Sequence, residues 1–108
     1  TTVPSGKTIS NPIPEDDAID VFAYPSLTLS VDIYDPNKEF TRVVFYDASD
    51  DTKIGMATII ISPVVFKTHS VEWSGLSSER TYQWYVIVYA EDYQIKSEIM
   101  TFTTANVY

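Results

Sequence analysis

The sequence predicts an all-β protein, a single domain folded as a seven-stranded antiparallel β-sandwich. Three observations carry that prediction. Residues 81–90, reading TYQWYVIVYA, are β-branched or aromatic almost throughout and contain no Gly, Pro or Asp. Further segments of alternating polarity recur along the chain, separated by clusters of turn residues. No stretch carries the apolar period of about 3.6 residues that an amphipathic helix requires.

The 81–90 stretch organises the rest. Tyr82, Trp84, Val86 and Val88 alternate onto one face, and Gln83, Tyr85, Ile87 and Tyr89 onto the other. A strand apolar on one face and amphipathic on the other suits the middle of a sheet in a two-layer fold. Leu76 stands six residues before Tyr82, across the polar turn at 77–80. That arrangement resembles the tyrosine corner of Ig-like sandwiches, where a Tyr hydrogen-bonds back across the turn before its strand.

Taken in order, residues 1–6 read as a linker and 7–14 as a short edge strand, because Pro12 and Pro14 are tolerated only at an edge. Residues 15–25, acidic and then Tyr/Pro-bearing, read as a long connection. Leu27, Leu29, Val31 and Ile33 alternate strictly and predict a strand with all four inward. Asp35-Pro36-Asn37-Lys38 is a turn. Residues 40–46 form the next strand, with Val43 and Phe45 on one face and Val44 and Tyr46 on the other. A shorter strand runs through Ile54 and Met56, with Gly55 marking a bulge or a close approach. Ile59-Ile60-Ile61 and Val64-Val65-Phe66 flank Pro63, and the first run is an aggregation hazard on a free edge. Val71 and Trp73 mark a strand at 70–73. The last strand spans 95–104 with Met100 and Phe102 inward, and the opposite parity of Ile95 predicts a bulge near Ser97. The domain is thus expected over 7–105, with 106–108 beginning a further linker or tail.

Composition narrows function chiefly by exclusion. Fifteen acidic against seven basic residues give a net charge of −8, which disfavours nucleic acid. The chain has no cysteine, which excludes a disulfide framework and thiolate metal sites. Its apolar runs are far shorter than the ~20 residues of a membrane helix, so this segment is not expected to insert directly into a membrane. It shows no signal peptide and no Asn-x-Ser/Thr sequon, and it opens on Thr1 rather than Met, as expected of a segment of a longer protein.

Trp73-Ser74-Gly75-Leu76, then Thr81-Tyr82 with Trp84-Tyr85-Val86, then Phe102-Thr103-Thr104, resemble the fibronectin type III-like and Ig-like modules of bacterial and archaeal cell-surface proteins. Phe45-Tyr46-Asp47 followed by Ile54-Gly55 is similar to the matching strand pair in those modules. The resemblance covers about residues 7–105 and implies an extracellular or cell-surface setting, with Leu76, Tyr82 and Trp84 as structural residues. It also implies termini at opposite ends, as in beads on a string. Typical fibronectin type III modules carry a Trp on the second strand, where this chain has Leu27, Leu29 and Val31. The loop after Ala90 has no Arg-Gly-Asp.

No catalytic constellation is visible, and the chain is not expected to be an enzyme. His69 is the only histidine, and as strand neighbours His69 and Ser70 point to opposite faces. An exposed structural histidine is expected. Acidic turns offer oxygens for Ca²⁺, with Asp16, Asp17, Asp47, Asp50 and Asp51 the candidate ligands at one end of the sandwich. Solvated charge is the competing reading, and no other cofactor is expected. Val44, Tyr46, Tyr85, Ile87 and Tyr89 should share the outer face of the sheet that holds the long strand.

The leading expectation is therefore a non-catalytic structural or adhesive module whose partners are neighbouring domains, other surface proteins or glycans. Two alternatives are a carbohydrate-binding module stacking sugars on Tyr46, Tyr85 and Tyr89, and an accessory domain of a secreted glycoside hydrolase.

Overall fold

The computed structural model describes residues 8–23, 26–35, 40–58 and 66–106, and of Phe66 the backbone only. The expected linker at 1–6, most of the turn at 35–38, Ile59-Ile60-Ile61, Val64-Val65 with the Phe66 side chain, and residues 107–108 lie outside the described residues.

The protein is all-β. Nine strands occur among the described residues: β1 (Ile9–Ile13), β2 (Ala18–Val21), β3 (Ser26–Tyr34), β4 (Phe40–Asp47), β5 (Thr52–Thr58), β6 (Phe66–Ser74), β7 (Thr81–Ala90), β8 (Gln94–Lys96) and β9 (Met100–Thr104). They form a small sheet ordered β1-β3-β6 and a large sheet ordered β2-β9-β7-β4-β5, with β8 also on β7. Every pairing is antiparallel except β2 with β9, which is parallel.

Two differences account for nine strands where seven are expected. The last strand is interrupted at 97–99, as the parity of Ile95 predicts. There Ser97 replaces the ladder, because its Oγ accepts the Val86 N–H at 2.9 Å and its own N–H donates to the Val86 carbonyl at 2.9 Å. The second difference is a correction: the connection at 15–25 contains β2, held on β9 through Ala18 opposite Phe102 and Val21 opposite Thr104. Asp17 and Asp20 flank and enter this strand at positive φ, 67° and 55°. Asp tolerates that conformation better than most residues. The result is an irregular strand with no alternation to read.

The inner faces of the two sheets share one apolar cluster. Leu29 and Val31 from β3, Val43 and Phe45 from β4, Trp84, Val86 and Val88 from β7, and Phe102 from β9 are all fully buried. The predicted inward pair Met100 and Phe102 is confirmed, at 5% and 0% exposure. Phe45 stacks on Trp84 with ring centroids 6.0 Å apart, and Trp73 meets Phe102 edge-on at the same distance. Leu76 packs on the edge of this core. The tyrosine corner forms as the sequence predicts, with the Ser77 N–H donating to the Tyr82 hydroxyl at 2.8 Å.

The edges of the two sheets differ. On one side β5 meets β6 so closely that a Cβ built on Gly55 would lie 2.9 Å from Val71 Cβ. A β-bulge falls at the same place, between Phe45 opposite Gly55 and Tyr46 opposite Lys53. Gly55 thus marks both a bulge and a close approach. On the other side β1 and the β8–β9 interruption stay apart around a cavity of about 470 Å³, lined by Ile9, Pro12, Ile95 and Met100 among others.

Candidate functional site

The sheet pleat fixes what faces outward from the large sheet. In β4 the core takes Val43 and Phe45, so Arg42, Val44 and Tyr46 turn the other way. In β7 the core takes Trp84, Val86 and Val88, which turns Tyr85, Ile87 and Tyr89 outward. Register then aligns them, pairing Arg42 with Tyr89, Val44 with Ile87, and Tyr46 with Tyr85. The five residues expected on this face, Val44, Tyr46, Tyr85, Ile87 and Tyr89, are therefore neighbours. From the flanking strands, Lys96 is paired with Ile87, Met56 with Val44 and Lys53 with Tyr46.

The face is a set of interlocked polar and aromatic contacts. Tyr46 stacks on Tyr85 at 5.2 Å with 15° between the planes, and its hydroxyl lies 2.9 Å from that of Tyr89. The Tyr85 hydroxyl donates to Asp51 Oδ1 at 2.9 Å. A cation sits over each of the other two rings: the Arg42 guanidinium lies 4.3 Å from the Tyr89 centroid, and Lys96 Nζ lies 4.3 Å from that of Tyr85. Burial, followed by the Tyr89 hydrogen bond, pushes the Tyr46 hydroxyl up to about 12. Burial and then Asp51 raise Tyr85 as well.

These contacts cover Tyr85, one of the three rings that sugar stacking would use. Tyr85 is 5% exposed and Val44 3%, although both point away from the core. Lys96 lies over Tyr85 and Arg42 over Tyr89, and Tyr46 and Tyr89 stay partly exposed beside these cations. The sequence reading found the tyrosines but missed Arg42, Lys53 and Lys96. Arg42 shares the parity of Val44 and Tyr46 and was legible. Lys96 was not, because the interruption at 97–99 hides its register.

The acidic candidates are used locally. Asp47 Oδ1 accepts from the Ser49 N–H and Oγ, and Asp50 Oδ1 accepts from the Thr52 N–H and Oγ1. The Thr52 bonds hold the Asp50 carboxyl below its ordinary range. Asp51, at φ 60°, takes the Tyr85 hydroxyl, and Asp16 Oδ1 accepts the Thr101 N–H at 2.9 Å. Asp17 lies beside β9, donating its N–H to the Thr101 carbonyl, whereas Asp47 lies on β4. In the order β2-β9-β7-β4 the two turns are three strand spacings apart, about 14 Å. No group of three or more Asp, Glu, His or Cys among the described residues is placed to hold a metal ion.

His69 requires a correction. It is not exposed but 9% accessible, facing inward with Val71 and Trp73 opposite Val31 of β3. Burial, and then the charge of Lys67, lower its pKa from the ordinary 6.5. Ser70 points to the opposite face, so no nucleophile lies beside the imidazole on this strand.

The outer face of the small sheet is different again. Ser26, Thr28, Ser30 and Asp32 on β3 pair with Ser74, Glu72, Ser70 and Thr68 on β6. Glu72 accepts the hydroxyls of Ser26 and Thr28, which hold its carboxyl below the ordinary range. Asp32 accepts from Thr68 and from Asn11 Nδ2.

No family model, curated protein or solved structure matches this chain.

Proposed function

We propose that this chain is a non-catalytic module of a cell-surface or secreted protein, of the fibronectin type III-like or Ig-like kind, acting as a spacer that bears tension and presents a sheet face to neighbours. The observation that carries this reading is the path of the chain from one end of the fold to the other. Thr8 lies at one end, where its carbonyl accepts the Tyr34 N–H at 2.8 Å. Thr104 lies at the other, against the turn before β7, accepting the Arg80 N–H and donating to the Ser77 carbonyl at 2.6 Å.

A pull through these ends loads β1 along β3 and, through β1, β2 along β9. In both pairs the load runs along the strands, so their hydrogen bonds are loaded together rather than opened one by one. The strand order and the Ser77–Tyr82 corner support the family reading.

Force spectroscopy tests this role. Handles at Thr8 and Asn106 should give a single cooperative rupture. Its force should be several-fold higher than with handles at Ile19 and Lys53, which pull across the strands of the large sheet. Equal forces along both axes would refute a tension-bearing design.

A further inference from the structure

The two outer faces of this molecule differ in charge: Arg42, Lys53 and Lys96 outnumber the Asp51 carboxylate on the large sheet, whereas Asp32 and Glu72 stand on the small one. On the large sheet Arg42 and Lys96 are held over Tyr89 and Tyr85, and no carboxylate of the described residues pairs with either, or with Lys53. That is unusual in a chain with fifteen acidic residues. On the small sheet Asp32 and Glu72 are held by hydroxyl and amide donors, with no cation beside them among the described residues. Arg42 and Lys96 stand on the strands either side of β7, and Asp32 and Glu72 on adjacent strands of the small sheet, so each face offers two separated charges.

We infer that the outer face of the large sheet docks on the outer face of the small sheet of a second copy of this chain, with Arg42 and Lys96 of one copy meeting Asp32 and Glu72 of the next. Both faces are preorganised, so little side-chain entropy is lost on contact. The two faces lie on opposite sides of one molecule, so the contact is heterologous and does not close on itself. Each footprint is roughly 400 Å², from strands about 4.8 Å apart, below the ~800 Å² per partner of stable complexes. A single contact is therefore weak, with Kd on the order of 0.1–1 mM, and gains strength where many copies are tethered side by side. A spacer need not self-associate, so this docking stands apart from the tension-bearing role.

Salt gives the contact a signature. At ~0.01 M the screening length of about 30 Å lets the whole charge of −8 on each copy repel the other. At ~0.15 M, with a length near 8 Å, repulsion fades while the matched charges still meet, and at ~1 M those contacts are screened too.

Sedimentation equilibrium up to about 1 mM tests the docking. The average mass should rise with concentration, most strongly near 0.15 M salt. The neutral variants R42Q/K96Q and D32N/E72Q, checked for folding by their amide spectra, should each stay monomeric alone. Mixed, they should form a 1:1 complex and nothing larger, because one intact face of each kind remains. A wild-type chain that is monomeric at every salt concentration would overturn the docking. So would variants that associate alone, or a mixture that fails to pair.

Discussion

Gly55→Ala tests how the edge of the fold is closed. The added Cβ would lie 2.9 Å from Val71 Cβ and 3.0 Å from its Cγ1, against an optimal carbon separation of roughly 3.5–4.0 Å. β5 and β6 belong to different sheets, so relieving the overlap means parting the sheets along that edge. Overpacking of this kind costs about 1–3 kcal/mol, and the lost freedom of the unfolded chain returns about 0.4–1 kcal/mol. The expected net loss is about 1–2 kcal/mol, read as a lower urea midpoint with an unchanged m value. Val71→Ala in the same chain removes Cγ1 and Cγ2 but keeps the Cβ at 2.9 Å, so it relieves the overlap in part and should make the pair non-additive by about 0.5 kcal/mol. Gly75→Ala is the control: Gly75 sits at φ +78° with nothing within 4 Å of a built Cβ. Its cost is one of backbone conformation, and Val71→Ala should not relieve it. A neutral Gly55→Ala, or a strictly additive cycle with Val71→Ala, would refute the close-approach explanation.

Two further predictions concern the core and its flank. Tyr82→Phe removes the acceptor of the Ser77 N–H and should cost about 1 kcal/mol in denaturant melts, with faster exchange of the Ser77 amide. An unchanged Ser77 exchange rate would mean that the corner is not formed in solution. His69 has a native pKa lowered below 6.5 by burial, so as pH falls the unfolded chain takes up the proton before the native one does. Its contribution is therefore full above pH 6.5 and is lost as pH falls from there to the lower native value. His69→Gln should flatten urea midpoints across that acid window, and wild-type and variant profiles that run parallel would refute it.

The fold was legible wherever a strand buries one face and the parity runs unbroken. Residues 27–33 and 81–88 show this, and so does Ile95, whose wrong parity located the interruption near Ser97. Parity also placed His69 with Val71 and Trp73. Its burial could have been read from that rather than from the general habit of lone histidines. β2 was illegible for a physical reason: Ile19 and Phe22 are exposed, at 72% and 66%, and two aspartates adopt positive φ, so no alternation marks the strand. On the large-sheet face the tyrosines were legible from alternation. That Lys96 and Asp51 would engage Tyr85 was not, because both arrive from turns and interruptions whose geometry alternation does not encode.

The two tryptophans sit in unequal surroundings. Trp84 is fully buried, and its indole Nε1 has no hydrogen-bond partner among the described residues. Trp73 is half-buried on the small sheet, yet its ring lies 5.5 Å from Tyr82 and 6.0 Å from Phe102 of the large one. The molecule thus carries two intrinsic fluorophores with separate duties. A dry, unbonded indole emits at the blue end of the range and shifts red only when water enters the core. Trp73 senses the seam, because its tyrosine donor stands on the opposite sheet and energy transfer from it falls as the sheets part. Exciting tyrosine while watching Trp73 would follow separation of the layers, and the Trp84 emission maximum would follow wetting. Partial opening and complete unfolding could then be told apart without attaching a dye.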